Sequence, residues 1–555
     1  MNAKRKTSRP EELVFLPLGG TGEIGMNCYC YGVGTADDRQ WLMVDLGVKF
    51  GDDADPGIDV VLPDVGFIAS NRKNLAGLVL THAHEDHLGA VAWLWPQLEC
   101  PVYCTPFCAQ VLNLKLKEAG LDGDVKVITV PQGGRVDIGP FDVEFVSVTH
   151  SIPEPTALCI RTKLGTVLHS GDWKIDAYPG FGKGMDEKRL REIGEEGVDV
   201  LVCDSTNVLR EGHSPSETDV AATLNDIVRN AKARVAITTF ASHVGRIATA
   251  VAAARANGRE VVIAGRAMRN TIEAARACGY LKNAGEFLDD EEFGYLPNDK
   301  IMLLCTGSQG EPRAAIARIA EDQHPNISLD AGDLVIFSSK TIPGNEKDVS
   351  RILNNLAKLD VDVITSDDAL VHTSGHPRQE ELKKLYGWLR PRAVVAMHGE
   401  PRHLRQQAIF ARECGIAETL IPQDGHIARL CPGPVENIDE APAGRLHVDG
   451  RLIVPVEDGP AKARRKLSFV GIVFVAVVIN AKMELADDPQ VIADGLPEGF
   501  EDELLEAVEQ GFASIPKPRR KDDDKVAESI RTAVRRAADQ AWGKKPIVKV
   551  AVSRV

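Results

Sequence analysis

This chain has no apolar run long enough to cross a bilayer. Its most apolar window, Phe469 to Ile479 (FVGIVFVAVVI), is well short of the ~18 residues that a spanning helix needs, and it reads as a buried strand. The N-terminal MNAKRKTSRPEELVF carries charge with no apolar run behind it, so neither a secretory signal nor a membrane anchor is expected. A disulfide framework is also missing. The 11 cysteines are odd in number and scattered, which points to a reducing, cytoplasmic setting. Cys28 and Cys30 have no second cysteine pair at zinc spacing, and read as core thiols. Positive charge is in deficit, with 65 Lys and Arg against 80 Asp and Glu and a formal net charge of -15. That balance argues against non-specific binding to nucleic acid. It leaves room for a local basic groove, and bound divalent cations would offset acidic charge at a site. No internal repeat of fixed period is present.

What the chain does have is length and alternation. Its 555 residues are enough for about three or four domains, and 44% hydrophobic residues is ordinary for globular protein. From Val14 to Gly47 the runs VFLPLGG, NCYCYGV and QWLMVDLG predict adjacent strands, with TADDR as a turn. Gly20 to Gly25 (GTGEIG) fits a dinucleotide fingerprint, with Asp45 downstream to take a ribose hydroxyl. That fingerprint must open a helix, whereas the segment from Met26 reads as strand, so no dinucleotide site is expected. A strand at Leu75 to Leu80 precedes a histidine cluster. The later runs FDVEFVSVTH, TVLHSGD and VDVLVCDST each end in polar or ionisable residues, which gathers a site along one sheet edge. Between about Gly212 and Asp367 strands and helices alternate, as in a parallel α/β unit. AVVAMHGE then returns to strand. PGPVENIDEAPAG reads as a linker into a C-terminal piece with apolar strands, a charged helix and a last strand, PIVKVAVSRV.

The histidine cluster is THAHEDHLGA, Thr81 to Ala90. In an extended segment residues two apart share a face, so His82 and His84 can point at one ion. A helix starting near Glu85 would turn Asp86 and His87 toward a second. Zinc accepts imidazole nitrogen and carboxylate oxygen, and a catalytic pair needs further ligands and an open position. His150 in SVTHSIPEP and His398 in AMHGEPRH supply candidates at strand ends, and Asp172 in HSGDWKID is the natural carboxylate bridge. His169 neighbours Asp172, and spacing alone leaves it open as an alternative.

HAHEDH at His82 to His87, VDLG around Asp45, Thr149-His150-Ser151 and SGD ending at Asp172 resemble the ordered motifs of the metallo-β-lactamase fold. CDSTN at Cys203 to Asn207, TTFAS, AGRAM, CTGSQGEP, SSKTIPGNE, HTSGH and HGEPRH resemble the β-CASP nucleases. With LGGTGEIGMN near the start, the chain resembles the bacterial ribonuclease J family to about residue 440, and more weakly beyond. The resemblance implies an α/β architecture: a metallo-β-lactamase αββα sandwich in residues 1–211 and 368–432, with an inserted parallel β-CASP domain in 212–367. A linker, 433–447, and a small C-terminal α/β assembly domain, 448–555, would follow.

The same resemblance implies roles. One Zn2+ would be held by His82, His84 and His150, a second by Asp86, His87 and His398, and Asp172 would be shared; Mn2+ is the alternative ion. Asp86 would also orient the attacking water, and His376 would protonate the departing 3′ oxygen. The HTSGH loop, His372, Thr373, Ser374, Gly375 and His376, would form a pocket for a 5′ phosphate. Asp45 and Asp204 would support ligands from behind, Asp204 by a hydrogen bond to a histidine. Phe240, Ser242, Arg246, Arg266, Thr306, Ser308, Ser339 and Lys340 are candidate RNA contacts. His243 stands where the family commonly has Asn. The implied activity is 5′ to 3′ exonucleolysis of single-stranded RNA with 5′-monophosphate ends, with endonuclease activity. It would serve RNA maturation, rRNA included, and mRNA decay in the cytoplasm, as a homodimer or homotetramer. The rival readings are a DNA nuclease of the same fold and a noncatalytic RNA-binding scaffold. The HTSGH loop and the complete ligand set favour the ribonuclease.

Overall fold

The alternating apolar runs of the first fifty positions form the strands Glu12–Gly19, Cys28–Thr35 and Asp38–Val44, antiparallel neighbours in one sheet. The computed structural model describes residues 10–51, 54–342, 344–457 and 459–555. Residues 1–9, on which part of the N-terminal reading rests, lie outside them. Among the described residues no helix is long and apolar enough to cross a membrane. The chain divides into two units, residues up to Lys49 with Val61–Leu446, and Phe50–Val60 with His447–Val555.

In the first unit the N-terminal strands belong to an eight-stranded sheet. Leu75–Val79, Val102–Cys104 and Val127–Thr129 extend it in parallel beyond Asp38–Val44. A seven-stranded sheet holds Glu418–Leu420, Ala393–Met397, Val200–Asp204 and Gly165–His169 in parallel, then Thr156–Thr162, Phe141–Ser147 and Arg135–Ile138. Phe15, Tyr31, Leu42 and Val79 of the first sheet meet Phe145, Leu158, Val202 and Val395 of the second in one buried core. Each such side chain contributes roughly 1.5–3 kcal/mol. Helices Glu187–Glu196 and Gln379–Leu389 cover the second sheet through Leu190, Ile193, Leu382 and Leu385, which gives one helical layer of the expected αββα order.

The inserted sheet is parallel throughout, in the order Glu260–Ala264, Ile301–Cys305, Val235–Thr238, Leu334–Phe337, Asp362–Ile364. Helices Glu217–Asn230, Val244–Ala256 and Arg266–Ala277 pack on one face, and Ala315–Ala320 and Glu346–Lys358 on the other. Burial from both sides explains why IMLLC and LVIF are continuously apolar rather than alternating.

Two expectations change. The PGPVENIDEAPAG segment, read as a linker, contributes the strand Glu436–Glu440, paired with His426–Cys431 at the sheet edge. Its side chains are mostly exposed, so it carries no apolar alternation to read. In the second unit the apolar window is not one buried strand. Phe469 and Val470 end the helix Ala461–Val470, Gly471 turns at φ 64, and the strand runs Ile472–Ile479. Only alternate residues of it are buried, Val473, Val475, Val477 and Ile479, against the helices Glu501–Ala513 and Asp523–Trp542. Gln490–Asp494 pairs antiparallel on one side of this strand and Ile547–Arg554 parallel on the other.

Candidate active site

The parallel strands of the second sheet end on one edge, and their ends deliver Asp172, Asp204 and His398 there. The strand Leu75–Val79 delivers His82 and His84, and the short helix Glu85–Leu88 turns Asp86 and His87 inward. His82 Nε2 lies 3.0 Å from His84 Nδ1, and His150 Nε2 lies 3.1 Å from the same atom. Beside them His87 Nε2 is 3.2 Å from Asp172 Oδ2, and His398 Nε2 is 3.4 Å from Asp86 Oδ2. Ligand atoms of His82, His84 and His150 fall within 4.8 Å of one another, as do those of Asp86, His87, Asp172 and His398. Asp172 Oδ2 sits between the two groups, 3.9 Å from His82 Nε2 and 3.8 Å from His150 Nε2. A third grouping, Asp172, Asp204, His376 and His398, overlaps the second.

These residues fit divalent cations. Burial pushes His84 down to about 4 and His82 and His150 well below the ordinary imidazole value, leaving three neutral rings whose nitrogens face one another. Neutral imidazole is the form that ligates metal. Buried His398 turns both ring nitrogens to carboxylates, Nε2 3.4 Å from Asp86 Oδ2 and Nδ1 3.0 Å from Asp172 Oδ1. Burial would lower His87 and His398, but Asp172 first among the carboxylates holds both well above the usual value. A cation among these nitrogens and oxygens answers the same negative charge, and the donor set suits zinc.

The surroundings orient the ligands. Asp45 accepts from Thr81 N at 2.8 Å and Thr81 Oγ1 at 2.9 Å, and holds His87 Nδ1 at 2.7 Å, which turns Nε2 toward Asp172. Gly47 is fixed by close approach, since a Cβ there would overlap the Asp86 carbonyl. Asn27 was not singled out from the sequence; its Nδ2 donates to the Asp86 carbonyl at 3.0 Å, and Tyr29 OH donates to its Oδ1 at 2.7 Å. Its only sequence signal is its place at the end of the LGGTGEIGMN motif. His150 Nδ1 donates to the Gly375 carbonyl at 2.7 Å, which ties this ring to the HTSGH loop. His169 faces the core, with Nδ1 2.9 Å from Tyr31 OH, and belongs to no ligand grouping.

In the loop, His376 Nδ1 lies 2.8 Å from Asp204 Oδ2. Burial would lower this ring, but Asp204 and then Asp172 hold it above the ordinary value. Ser374 Oγ accepts from Asn207 Nδ2 at 2.8 Å. Thr373 is buried and donates its hydroxyl to the Pro215 carbonyl at 2.8 Å, so its side chain is engaged within the fold. His372 lies beside Phe240, ring centroids 6.4 Å apart, and burial, with Arg246 and His243 next, pushes it down to about 3, so it is neutral.

The outer candidates scatter. Arg246 is fully buried and donates to Glu217 at 2.7 Å, to Ser338 Oγ at 2.5 Å and to the Val371 carbonyl at 2.7 Å. Capture by Glu217 makes it an interior strut rather than an RNA contact. His243 accepts from Arg246 N at 3.1 Å as a helix cap, and its Nε2 lies 3.2 Å from Glu217, so it too faces inward. Ser308 and Ser339 are buried, with Ser339 Oγ donating to the Ser308 carbonyl at 3.4 Å. Phe240, Ser242 and Thr306 are half-buried, and Arg266 and Lys340 are exposed. Cys28 and Cys30 are buried free thiols.

Four family models match the chain. They are the Ribonuclease J beta-CASP domain at residues 232–356, the Ribonuclease J C-terminal domain at 461–555, the Beta-lactamase superfamily domain at 54–239, and the Zn-dependent metallo-hydrolase RNA specificity domain at 361–421. Ribonuclease J of Sinorhizobium meliloti is 49% identical over 100% of this chain and 99% of its own length. Ribonuclease J of Corynebacterium glutamicum is 36% identical over 96% of this chain and 74% of its own. The solved structure of a protein of unknown function from Enterococcus faecalis is similar in fold, with TM-score 0.52 and 16% identity over 75% of this chain and 99% of that one. Full-length identity, four domain matches and the histidine and aspartate groups agree, and the chain belongs to the ribonuclease J family, as a metal-dependent nuclease that acts on RNA.

Proposed function

We propose that this chain is a two-zinc ribonuclease that degrades single-stranded RNA 5′ to 3′ from 5′-monophosphate ends and also cuts internally. RNA maturation, rRNA included, and mRNA decay in the cytoplasm are its setting. The observation that carries the reading is the meeting of two ligand groups, joined at Asp172, with the HTSGH loop and its His376–Asp204 pair. His82, His84 and His150 would hold one zinc, and Asp86, His87 and His398 the other, with Asp172 shared and manganese as the alternative ion. Bound there, the ions would supply an activated water and neutralise charge growing on the phosphoryl oxygens.

The residues do the rest. Asp86 is the solvent-facing carboxylate of its group, with its side chain 31% exposed against 2% for Asp172, and it orients the attacking water. Hydrolysis breaks the bond between phosphorus and the 3′ oxygen, and that oxygen must take a proton. Asp204 holds His376 at Nδ1, which leaves Nε2–H to deliver it. The fragment that remains carries a 5′ phosphate, so each cut regenerates the preferred end. Ser374, steadied by Asn207, and loop backbone N–H groups receive the terminal phosphate. The division at 1–211, 212–367, 368–432, 433–447 and 448–555 belongs to this reading, as does assembly into a homodimer or homotetramer through the C-terminal domain.

Metal analysis joined to chelation tests the centre. Purified protein should carry about two equivalents of zinc or manganese, and a chelator should abolish RNA hydrolysis. Intact hydrolysis with one ion or none would defeat the assignment, and faster cleavage of labelled single-stranded DNA than of RNA would favour a DNA nuclease of the same fold.

A further inference from the structure

Three cations flank the HTSGH loop on separate segments. Arg210 follows the turn after Asp204, Arg378 follows His376, and Lys340 follows the strand Leu334–Phe337 of the inserted domain. Hydrogen bonds hold all three segments to one another at the loop. Gln379 N donates to the Arg210 carbonyl at 3.1 Å, Asn207 Nδ2 to Ser374 Oγ at 2.8 Å and to the His376 carbonyl at 3.2 Å, and Ser338 Oγ to the Val371 carbonyl at 2.7 Å.

Arg210 and Lys340 are exposed, and Arg378 is half-buried with its Nε enclosed and without a partner. Burial first, and then the charge of Arg210, lower the Lys340 amine; Asp367 opposes them, and Arg378 adds a smaller lowering. Two guanidinium groups and one ammonium are thus gathered on hydrogen-bonded segments, with Asp367 acting on Lys340 and the buried Glu381 carboxylate accepting from Arg378 N at 2.9 Å. In a chain of net charge -15 this is a local concentration of cationic side chains. Like charges held together raise each other's energy, and an anion among them relieves it. Guanidinium forks and an ammonium point charge both suit phosphate oxygens.

We propose that Arg210, Lys340 and Arg378 form a phosphate-binding rim beside the HTSGH loop, which holds phosphate groups of the bound strand. The inference rests on the RNA reading above and adds a site to it. The test uses the metal-loaded full chain and a fluorescent single-stranded RNA, with phosphorothioate linkages to slow cleavage, titrated across about 50 to 200 mM salt. Each lost phosphate contact on a single strand lowers the salt slope of log K by about 0.7. Arg210→Gln/Lys340→Gln/Arg378→Gln should therefore flatten the slope by about 2 and weaken binding at low salt by roughly 10-fold or more. The exposed single variant Lys340→Gln guards against misfolding and should lose about 0.7 of slope. The exchanges Arg210→Lys, Lys340→Arg and Arg378→Lys should keep it. Equal losses on 5′-phosphate and 5′-hydroxyl RNA would assign the rim to internal phosphates, and losses confined to 5′-phosphate RNA would assign it to the terminal one. An unchanged slope in the triple variant overturns the rim. Wild-type enzyme that fails to hydrolyse RNA would overturn the underlying reading instead.

Discussion

At the scale of single residues, the centre separates groups that face a cation from groups that face the substrate. His84 lies 3.0 Å and 3.1 Å from the nitrogens of two other rings, and it is held neutral by burial. His84→Ala should therefore lose metal and hydrolysis together. His376 is tied to Asp204 instead, and His376→Ala should keep both metals and lose turnover by ~100-fold or more if the ring is the general acid. The working form of that ring is protonated, so the rate should fall on the alkaline side as it loses its proton, and His376→Ala should remove that limb. Loss of metal from His376→Ala, read by metal analysis, would instead favour the third grouping, in which His376 is itself a ligand. His82, His84, Asp86 and His87 were legible because two-residue and helical spacing put their contacts within one short segment. The Asp204–His376 pair spans 172 residues, and no spacing rule reaches it; only the resemblance did. Arg246 misled because an exposed arginine and a buried one look alike until Glu217 is placed beside it.

At the scale of elements, the HTSGH loop is built against the histidine centre rather than beside it. Its Gly375 carbonyl accepts from His150, and a Cβ at Gly375 would overlap the His150 ring. Gly375→Ala should therefore displace a ligand from the phosphate side. The expected result is a drop in metal content and at least ~10-fold lower activity, since a small misplacement of a reacting group costs on that order or more. Full metal content with normal turnover would show that the loop yields freely. The strands behind the site were readable from their apolar runs and polar ends. The edge strand Glu436–Glu440 was not, because its exposed polar residues give no alternation and its strand character comes from pairing with His426–Cys431.

At the scale of the whole molecule, the C-terminal sheet buries one face under two helices and leaves Phe474 48% and Ile492 65% exposed on its strands. In the proposed assembly this face lies toward a second subunit, and a chain ending near residue 447 should show a smaller oligomer mass in light scattering. An unchanged oligomer number would place the contact elsewhere. The account of the chain as an enzyme that starts from a phosphorylated end is tested most directly on one labelled RNA prepared with a 5′ monophosphate, triphosphate or hydroxyl. A hydroxyl end forfeits charge-assisted hydrogen bonds of ~1.5–3 kcal/mol each, and a triphosphate is larger than the group the loop is proposed to receive. The expected result is at least ~10-fold preference for the monophosphate, with mononucleotides as product. Equal rates on all three ends would contradict the account and leave a metal-dependent endonuclease in its place.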